Sequence, residues 1–171
     1  PAMAPVSHNL VALLSAEGNA QAARAKETLF PPFERSLHGI GTDRFQPGSG
    51  VAVLSSPGRA LIPLICGELL DRRLVRRGVH AGGTLLTVSA RDHYQAGSAQ
   101  AAWQVLAHLR LRASEFGVPA VDASLEGQAA IVATDGEVLA RSAPGAPAGL
   151  LSWSRQTGAR DRAPTPRPEV V

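Results

Sequence analysis

A short apolar segment that ends in a cysteine constrains this chain more than any other feature. Residues 61–65 are Leu-Ile-Pro-Leu-Ile, and Cys66, the only cysteine of the chain, follows at once, with Gly67 and Glu68 behind it. The segment is too short for a stable helix and predicts a buried strand, despite Pro63. A cysteine at a strand-to-helix turn lies beside outward-pointing backbone N–H groups, which suits a nucleophile and an oxyanion. The alternative is an inert core thiol.

Length and composition limit the classes of protein to which the chain can belong. The 171 residues suffice for one domain with a hydrophobic core, and a single cysteine excludes an internal disulfide and a cysteine-rich zinc site. No apolar stretch approaches the ~20 residues needed to span a bilayer. The net charge is +3, and sixteen arginines accompany a single lysine, Lys26. The arginines are scattered with few aromatic residues among them, so nucleic acid is not an expected partner.

Alternating strand and helix patterns predict an α/β fold with a mixed sheet. The first helix is expected to end at Gly78, and the second is expected to bury Trp103. Residues 15–25 are small and polar with a turn at 17–19, and residues 26–50 are predicted as loop. The predicted strands cover residues 10–14, 51–54, 61–66, 84–89, 120–123, 129–133 and 138–140, and the predicted helices cover residues 69–78 and 98–116.

A series of short motifs follows one another along the chain. They are Lys26-x-x-Leu29-x-Pro31 with Glu34, Phe45-x-Pro47-Gly48-x-Gly50, Pro63-Leu64-Ile65-Cys66-x-Glu68, Arg110-Leu111-Arg112-Ala113-x-Glu115-x-Gly117-x-Pro119, Gly127 and Asp135-Gly136-x-Val138. In this order the motifs resemble the nitrilase (carbon–nitrogen hydrolase) superfamily, and most closely the catalytic domain of apolipoprotein N-acyltransferase. The resemblance extends from about residue 10 to residue 141.

The resemblance implies an α-β-β-α sandwich with a mixed sheet and a Glu-Lys-Cys catalytic set. Cys66 would attack an acyl carbonyl to form a thioester, and Lys26 would stabilise both the thiolate and the tetrahedral oxyanion. Glu34 matches a second active-site glutamate of the acyltransferases. Glu68, which matches the glutamate two residues past the cysteine, is a secondary site residue. No metal and no cofactor are expected.

The family's general base is a further glutamate that precedes the loop with the catalytic lysine. In this chain that loop comprises residues 26–34 and is called the lysine loop below. The only glutamate upstream of Lys26 is Glu17, which lacks the family's Pro-Glu setting. The chain is therefore expected to be the C-terminal part of the domain, incomplete on its N-terminal side and unable to turn over acyl substrate by itself. Its predicted organisation is a loose segment at 1–9, a partial nitrilase-like domain at 10–153 and a disordered Pro/Arg-rich tail at 154–171.

Other roles stay open for the individual residues. Lys26 could be an ordinary surface lysine, Glu34 could pair with Arg35 or another neighbour, and Glu68 could serve as a cap or an ion-pair residue. Asp92 and His93 have no third ligand at a spacing that suits a metal.

Three functions remain open at this point. They are acyl transfer to an amine, as in apolipoprotein N-acyltransferase; amide hydrolysis by a soluble relative; and a degenerate, non-catalytic binding module. The first implies an acyl donor, a phospholipid among the candidates, and an amine acceptor, and an unpaired sheet edge would favour self-association. The location stays undecided between the bacterial cytoplasm, for the chain as given, and the extracytoplasmic membrane face, through segments that this sequence does not contain.

Overall fold

The computed structural model describes residues 7–31, 34–35, 45–50, 52–56, 58–91, 99–125, 127–146 and 149–154. The strands in these ranges are β1 (Leu10–Leu14), β2 (Ala20–Ala25), β3 (Leu54–Ser56), β4 (Arg59–Ile65), β5 (Leu85–Arg91), β6 (Ala120–Leu125), β7 (Ala130–Val132) and β8 (Val138–Arg141). The helices are a 3-10 helix (Cys66–Leu70), α1 (Arg72–His80) and α2 (Ala99–Phe116). The mixed α/β architecture expected from the sequence is confirmed.

A six-stranded sheet with the order β3-β4-β5-β6-β7-β8 forms the centre of the fold. Strands β4, β5 and β6 are parallel to one another, whereas β3, β7 and β8 join antiparallel at the two sides. Helix α1 connects β4 to β5, and α2 connects β5 to β6. Because parallel strands end at the same edge of a sheet, the carboxyl ends of β4, β5 and β6 share one edge, which is where α/β proteins commonly place their sites. Cys66 follows β4 directly at this edge.

The hydrophobic core lies between the sheet and the two α-helices. Ile62 and Leu64 of β4 pair in register with Leu86 and Val88 of β5, and all four side chains are at most 2% exposed. Burying one such side chain contributes ~1.5–3 kcal/mol. The helices complete this core with Leu74 and Val75 from α1 and Leu106, Leu109 and Ala113 from α2.

Gly78 was expected to end the first helix, and this is wrong, since α1 continues to His80. A Cβ at Gly78 would lie 2.4 Å from Cγ2 of Ile62 and 3.2 Å from the carbonyl oxygen of Ala52. The glycine is therefore required where the helix crosses β4 closely, not where the helix stops. The helix also begins later than predicted, at Arg72, because the Asp71 side chain accepts the Arg73 N–H as an N-cap.

Strand β2 was not predicted, because its sequence is small and polar. It pairs antiparallel with β1, with Leu10 opposite Ala25 and Leu14 opposite Ala20, and the turn expected at 17–19 joins the two strands. The pairing brings β2 into the fold although its side chains form no apolar stripe. Lys26 directly follows the last residue of β2, so the hairpin positions the only lysine of the chain.

The remaining boundaries differ from the predictions in smaller ways. The strand expected over 51–54 is β3, which begins at Leu54 and runs to Ser56, where it pairs with Arg59; Val51 lies outside the described residues. The strand expected over 61–66 ends at Ile65, because Cys66 begins the 3-10 helix.

The second helix and the three C-terminal strands lie close to their predicted positions. Trp103, however, was expected in the core and is 55% exposed, with the Arg141 guanidinium 4.9 Å from its ring centroid. Among the helices that the structure describes, none is long and apolar enough to cross a membrane. Asp92, His93 and the tail beyond Ser154 lie outside the described residues, as do Pro32 and Phe33 of the lysine loop.

Candidate functional site

Cys66 occupies a strained bend at the carboxyl end of β4. Its φ angle is +52°, and within the described ranges no other non-glycine residue has a positive φ. An L-residue in this region costs roughly 1–2 kcal/mol, and such strain concentrates at functional sites. The thiol belongs to a half-buried residue that lines a cavity of about 50 Å³ together with Gly67, Leu69, Val88 and Val105. The bend thus places a half-buried cysteine beside a small apolar space.

Lys26 forms a buried ion pair with Glu34. The ammonium donates to Oε2 of Glu34 over 2.6 Å, and the lysine side chain is 1% exposed. Glu34 also accepts the Asn9 side-chain amide at 2.9 Å and the Phe30 N–H at 2.8 Å. Burial on its own raises the pKa of Glu34, but these hydrogen bonds and the Lys26 charge outweigh it and hold that pKa below its usual value of 4.5. Glu34 is consequently ionised at neutral pH and holds the Lys26 ammonium in place.

The low pKa of Glu34 predicts an acid-sensitive contribution to stability. Because folding lowers this pKa, the contribution is fully present above pH 4.5 and is lost as pH falls through the folded-state value. We expect the difference in unfolding free energy between the native chain and Glu34→Gln to shrink between pH 6 and pH 3. Urea unfolding at several pH values measures this difference. Equal pH dependence in both proteins would contradict it.

Glu68 is the most highly coordinated side chain of the site and is fully buried. The Arg24 guanidinium contacts both of its oxygens, at 2.6 and 2.9 Å. Its carboxylate also accepts the backbone N–H groups of Ile65 at 2.9 Å, Glu27 at 2.7 Å and Thr28 at 3.2 Å. Ile65 precedes Cys66, whereas Glu27 and Thr28 follow Lys26. One carboxylate therefore ties the cysteine bend to the lysine loop.

Further contacts fix the lysine loop. The Lys26 N–H donates to the Asn9 carbonyl, and the Lys26 carbonyl accepts the Gly48 N–H, each at 2.8 Å. A Cβ at Gly48 would lie 2.5 Å from both the Cβ and the carbonyl oxygen of Ala25. The Phe-x-Pro-Gly-x-Gly motif thus needs its first glycine to reach the backbone beside Lys26.

An exposed phenylalanine borders the cysteine bend. Phe30 is 51% exposed, and its ring carbon Cδ2 lies 3.5 Å from the position that a Cβ on Gly67 would take. Leu70 is 49% exposed and belongs to the lining of the cavity beside Cys66. The surroundings of the thiol are accordingly apolar on several sides.

The structure brings the predicted site residues together to different degrees. Lys26 and Glu34 are in direct contact, and Glu68 links their loop to the bend at Cys66. The direct approach of the Lys26 ammonium to the thiol stays a prediction. Glu17 lies in the turn between β1 and β2, and the six residues of β2, which span about 20 Å, separate this turn from Lys26. Glu17 is thus badly placed to serve as a base for Cys66.

Several simpler roles considered for these residues can now be judged. Lys26 is not a surface lysine, because it is almost wholly buried, and Glu34 bonds to Lys26. Glu68 is indeed an ion-pair residue and also caps the 3-10 helix through the Ile65 N–H. Sequence reasoning missed Arg24 and Asn9. Arg24 lies on β2 two residues before Lys26, but its small, polar surrounding sequence contained no signal that this segment forms a strand.

The part of the chain that the structure describes contains no group of three or more His, Cys, Asp or Glu residues arranged to hold a metal ion. The carboxylates of Glu34 and Glu68 are instead bonded to cations and N–H groups. These bonds fix the two carboxylates in the loop that follows β2 and in the bend at Cys66.

The chain is similar to known proteins both in sequence and in fold. A family model described as carbon-nitrogen hydrolase matches residues 3–154. Among curated proteins, none matches the chain. A solved amidase of the nitrilase superfamily from Nesterenkonia AN1 is 24% identical with a TM-score of 0.65, covering 79% of this chain and 51% of that one.

Two further structures of the Nesterenkonia sp. AN1 amidase are each 22% identical and cover 79% of this chain. One shows acrylamide joined to the active-site cysteine by Michael addition, with a TM-score of 0.61 and 52% of that chain covered. The other shows the acetamide moiety of fluoroacetamide added covalently at that cysteine, with a TM-score of 0.62 and 51% covered. The present chain spans about half the length of these similar structures.

Proposed function

The chain belongs to the carbon–nitrogen hydrolase family, and on this premise we propose that Cys66 forms a thioester acyl-enzyme whose acyl group passes to an amine, as in apolipoprotein N-acyltransferase. One observation carries the proposal: the only cysteine lies at a strained bend that Glu68 fastens to the loop of the buried Lys26–Glu34 pair. A binding module without catalysis would not require this strain.

The chemistry of the proposal divides into two steps. In the first, the thiol gives up its proton to a base, sulfur bonds to the acyl carbon, and the bond to the leaving group breaks as that group takes up a proton. In the second, an amine attacks the thioester, loses a proton and releases the thiol. Lys26 stabilises the negative charge on sulfur and on the oxyanion of both tetrahedral intermediates.

The described carboxylates of the site are poorly suited to the role of base. Glu34 is bonded to Lys26, Asn9 and Phe30, and Glu68 receives Arg24 and three backbone N–H groups. We therefore assign Glu34 to holding Lys26 and Glu68 to holding the cysteine bend. The base is a group outside these two carboxylates.

The acyl donor that we propose carries an aliphatic acyl group. The cavity beside Cys66 is lined by glycine, alanine, leucine and valine residues. Phe30 and Leu70 expose apolar surface close by. Burial of hydrocarbon in such a space contributes ~0.8 kcal/mol for each CH₂ group. A phospholipid is one donor of this chemical kind.

Amide hydrolysis is the second candidate, favoured by the solved neighbours, which are amidases with an active-site cysteine. The sequence motifs around Cys66 and Arg112 favour acyl transfer instead. The two functions share the first step and differ only in whether water or an amine accepts the acyl group.

Incubation with p-nitrophenyl butyrate tests the shared step. We expect mass spectrometry to find one butyryl group on Cys66 and none on Cys66→Ala. Addition of a primary amine, glycine methyl ester, should then release the group faster than water does if the chain is an acyltransferase. Release that is unaffected by the amine supports hydrolysis. Butyryl groups that form equally on Cys66→Ala, or no adduct at all, would refute the acyl-enzyme.

A further inference from the structure

Arg24 is a buried cation to which the proposed mechanism assigns no role. It is 3% exposed, lies on β2 two residues before Lys26, and meets the Glu68 carboxylate in a two-pronged contact at 2.6 and 2.9 Å. Its Nη2 also approaches Glu27 at 3.4 Å, and Glu27 in turn accepts from Arg77 of α1 at 2.5 Å. Such planar two-pronged pairing is specific to arginine, because lysine offers only a point charge.

The Glu68 carboxylate has partners besides Arg24. Three backbone N–H groups, from Ile65, Glu27 and Thr28, donate to it. The Glu68 carboxylate is therefore fixed in the interior, and one of its bonds is to the residue that precedes Cys66.

A carboxylate that is bonded to the N–H of the residue before Cys66 opposes the formation of a thiolate at Cys66. Like charges raise the cost of ionisation, and the effect is larger in the interior than in water. Arg24 supplies the compensating positive charge at the carboxylate itself. The Lys26 ammonium is bonded to the other carboxylate, Glu34.

The charged groups around the cysteine bend come from several elements. The described ones are Arg24 from β2; Lys26, Glu27 and Glu34 from the lysine loop; Glu68 from the 3-10 helix; Asp71 and Arg77 at and in α1; and Arg112 of α2, which donates to the carbonyls of Leu69 and Leu70. Among these, Glu68 and Arg24 form the pair whose carboxylate is bonded to the peptide N–H of the residue before Cys66.

We infer that Arg24 is a positioning residue for the nucleophile: it neutralises the Glu68 carboxylate, and the Cys66 thiol can then lose its proton near neutral pH. The inference rests on the proposed role of Cys66 as nucleophile. Arg24 does not touch the reacting atoms and acts only through Glu68.

The pH dependence of Cys66 alkylation by iodoacetamide tests this role. In Arg24→Gln, the midpoint of the profile should rise, and the alkylation rate at pH 7 should fall about tenfold, because the carboxylate loses its partner. In Arg24→Gln/Glu68→Gln, which removes both charges, the midpoint should return to that of the native chain. Arg24→Lys keeps the charge and should keep the midpoint, even though it loses the two-pronged contact.

A purely structural role for Arg24 predicts a different pattern. Melting temperature would fall in all three variants, and the alkylation midpoint would follow the loss of stability instead of the charge. That pattern, or an unchanged midpoint in Arg24→Gln, would overturn the inference. Should Arg24→Gln fail to fold, Glu68→Gln tests the same claim. It leaves the Arg24 charge without the carboxylate, and the midpoint of Cys66 alkylation should then fall below that of the native chain.

The alkylation midpoint of the native chain distinguishes a failure of this inference from a failure of the proposed function. A native midpoint no lower than that of a free thiol, which has a pKa of ~8.5, would count against Cys66 as an activated nucleophile. A lowered native midpoint that Arg24→Gln leaves in place would overturn only the role of Arg24.

Discussion

Glu68→Ala is expected to destabilise the domain by about 3–5 kcal/mol, because it breaks a buried ion pair by removing one partner. Arg24 would stay in the interior, at 3% exposure, without its two-pronged contact. The N–H groups of Ile65, Glu27 and Thr28 would lose their acceptor at the same time. Each unsatisfied buried donor adds ~1–3 kcal/mol, and these costs are not additive.

Urea unfolding of Glu68→Ala against the native chain measures this loss. Glu137→Ala is the matched control, since Glu137 is an exposed glutamate near β8 and should cost no more than about 0.5 kcal/mol. Glu68→Gln keeps a carbonyl acceptor for the backbone donors and should fall between the two. A loss below about 1 kcal/mol in Glu68→Ala would show that water or a rearranged loop satisfies Arg24.

The central part of the fold could be predicted because its physical signals are local. The apolar run of β4 is bounded by turn residues, and the helical periodicity of α2 extends over five turns, so both were placed within a few residues. The neighbouring parallel strands follow from the same pattern. Predictions failed where a contact between distant segments decides the outcome, as when Ile62 requires a glycine inside α1.

Strand β2 shows why part of the site could not be predicted from the sequence. Its buried cation is one of sixteen arginines, and the partner of Arg24 lies 44 residues further along the chain. Neither spacing nor composition distinguishes Arg24 from an arginine on the surface. Lys26 was noticeable as the only lysine among sixteen arginines, and Glu34 was identified through the motif order, but their ion pair is a finding of the structure.

The position of Cys66, in contrast, could be predicted from the sequence, although its backbone conformation could not. Its place at a strand-to-helix turn followed from the apolar run and the glycine behind it. The positive φ did not, because non-glycine residues adopt it only where surrounding contacts enforce it. Those contacts are the Glu68 bonds to Ile65 and to the lysine loop, together with the Arg112 bonds that fix the carbonyls of the 3-10 helix.

Lys26→Met is expected to lower the rate of Cys66 acylation by p-nitrophenyl butyrate about 10²–10³-fold at pH 7, the usual cost of one lost oxyanion donor. The ammonium has three N–H donors, and its bond to Glu34 uses one of them. The remaining donors are those that the proposed mechanism assigns to the developing oxyanion and the thiolate. Methionine preserves much of the length and the apolar stem of the buried side chain.

Iodoacetamide separates the two effects of Lys26, because alkylation forms no oxyanion. Any fall in the alkylation rate of Lys26→Met therefore reports the thiolate alone, and the additional fall in acylation reports the oxyanion. Arg76→Met, which removes an exposed cation from α1, is the control for a general change of charge and should leave both rates within about twofold. Equal losses in the two reactions would limit Lys26 to activating the thiol, and unchanged rates in both would remove Lys26 from the site.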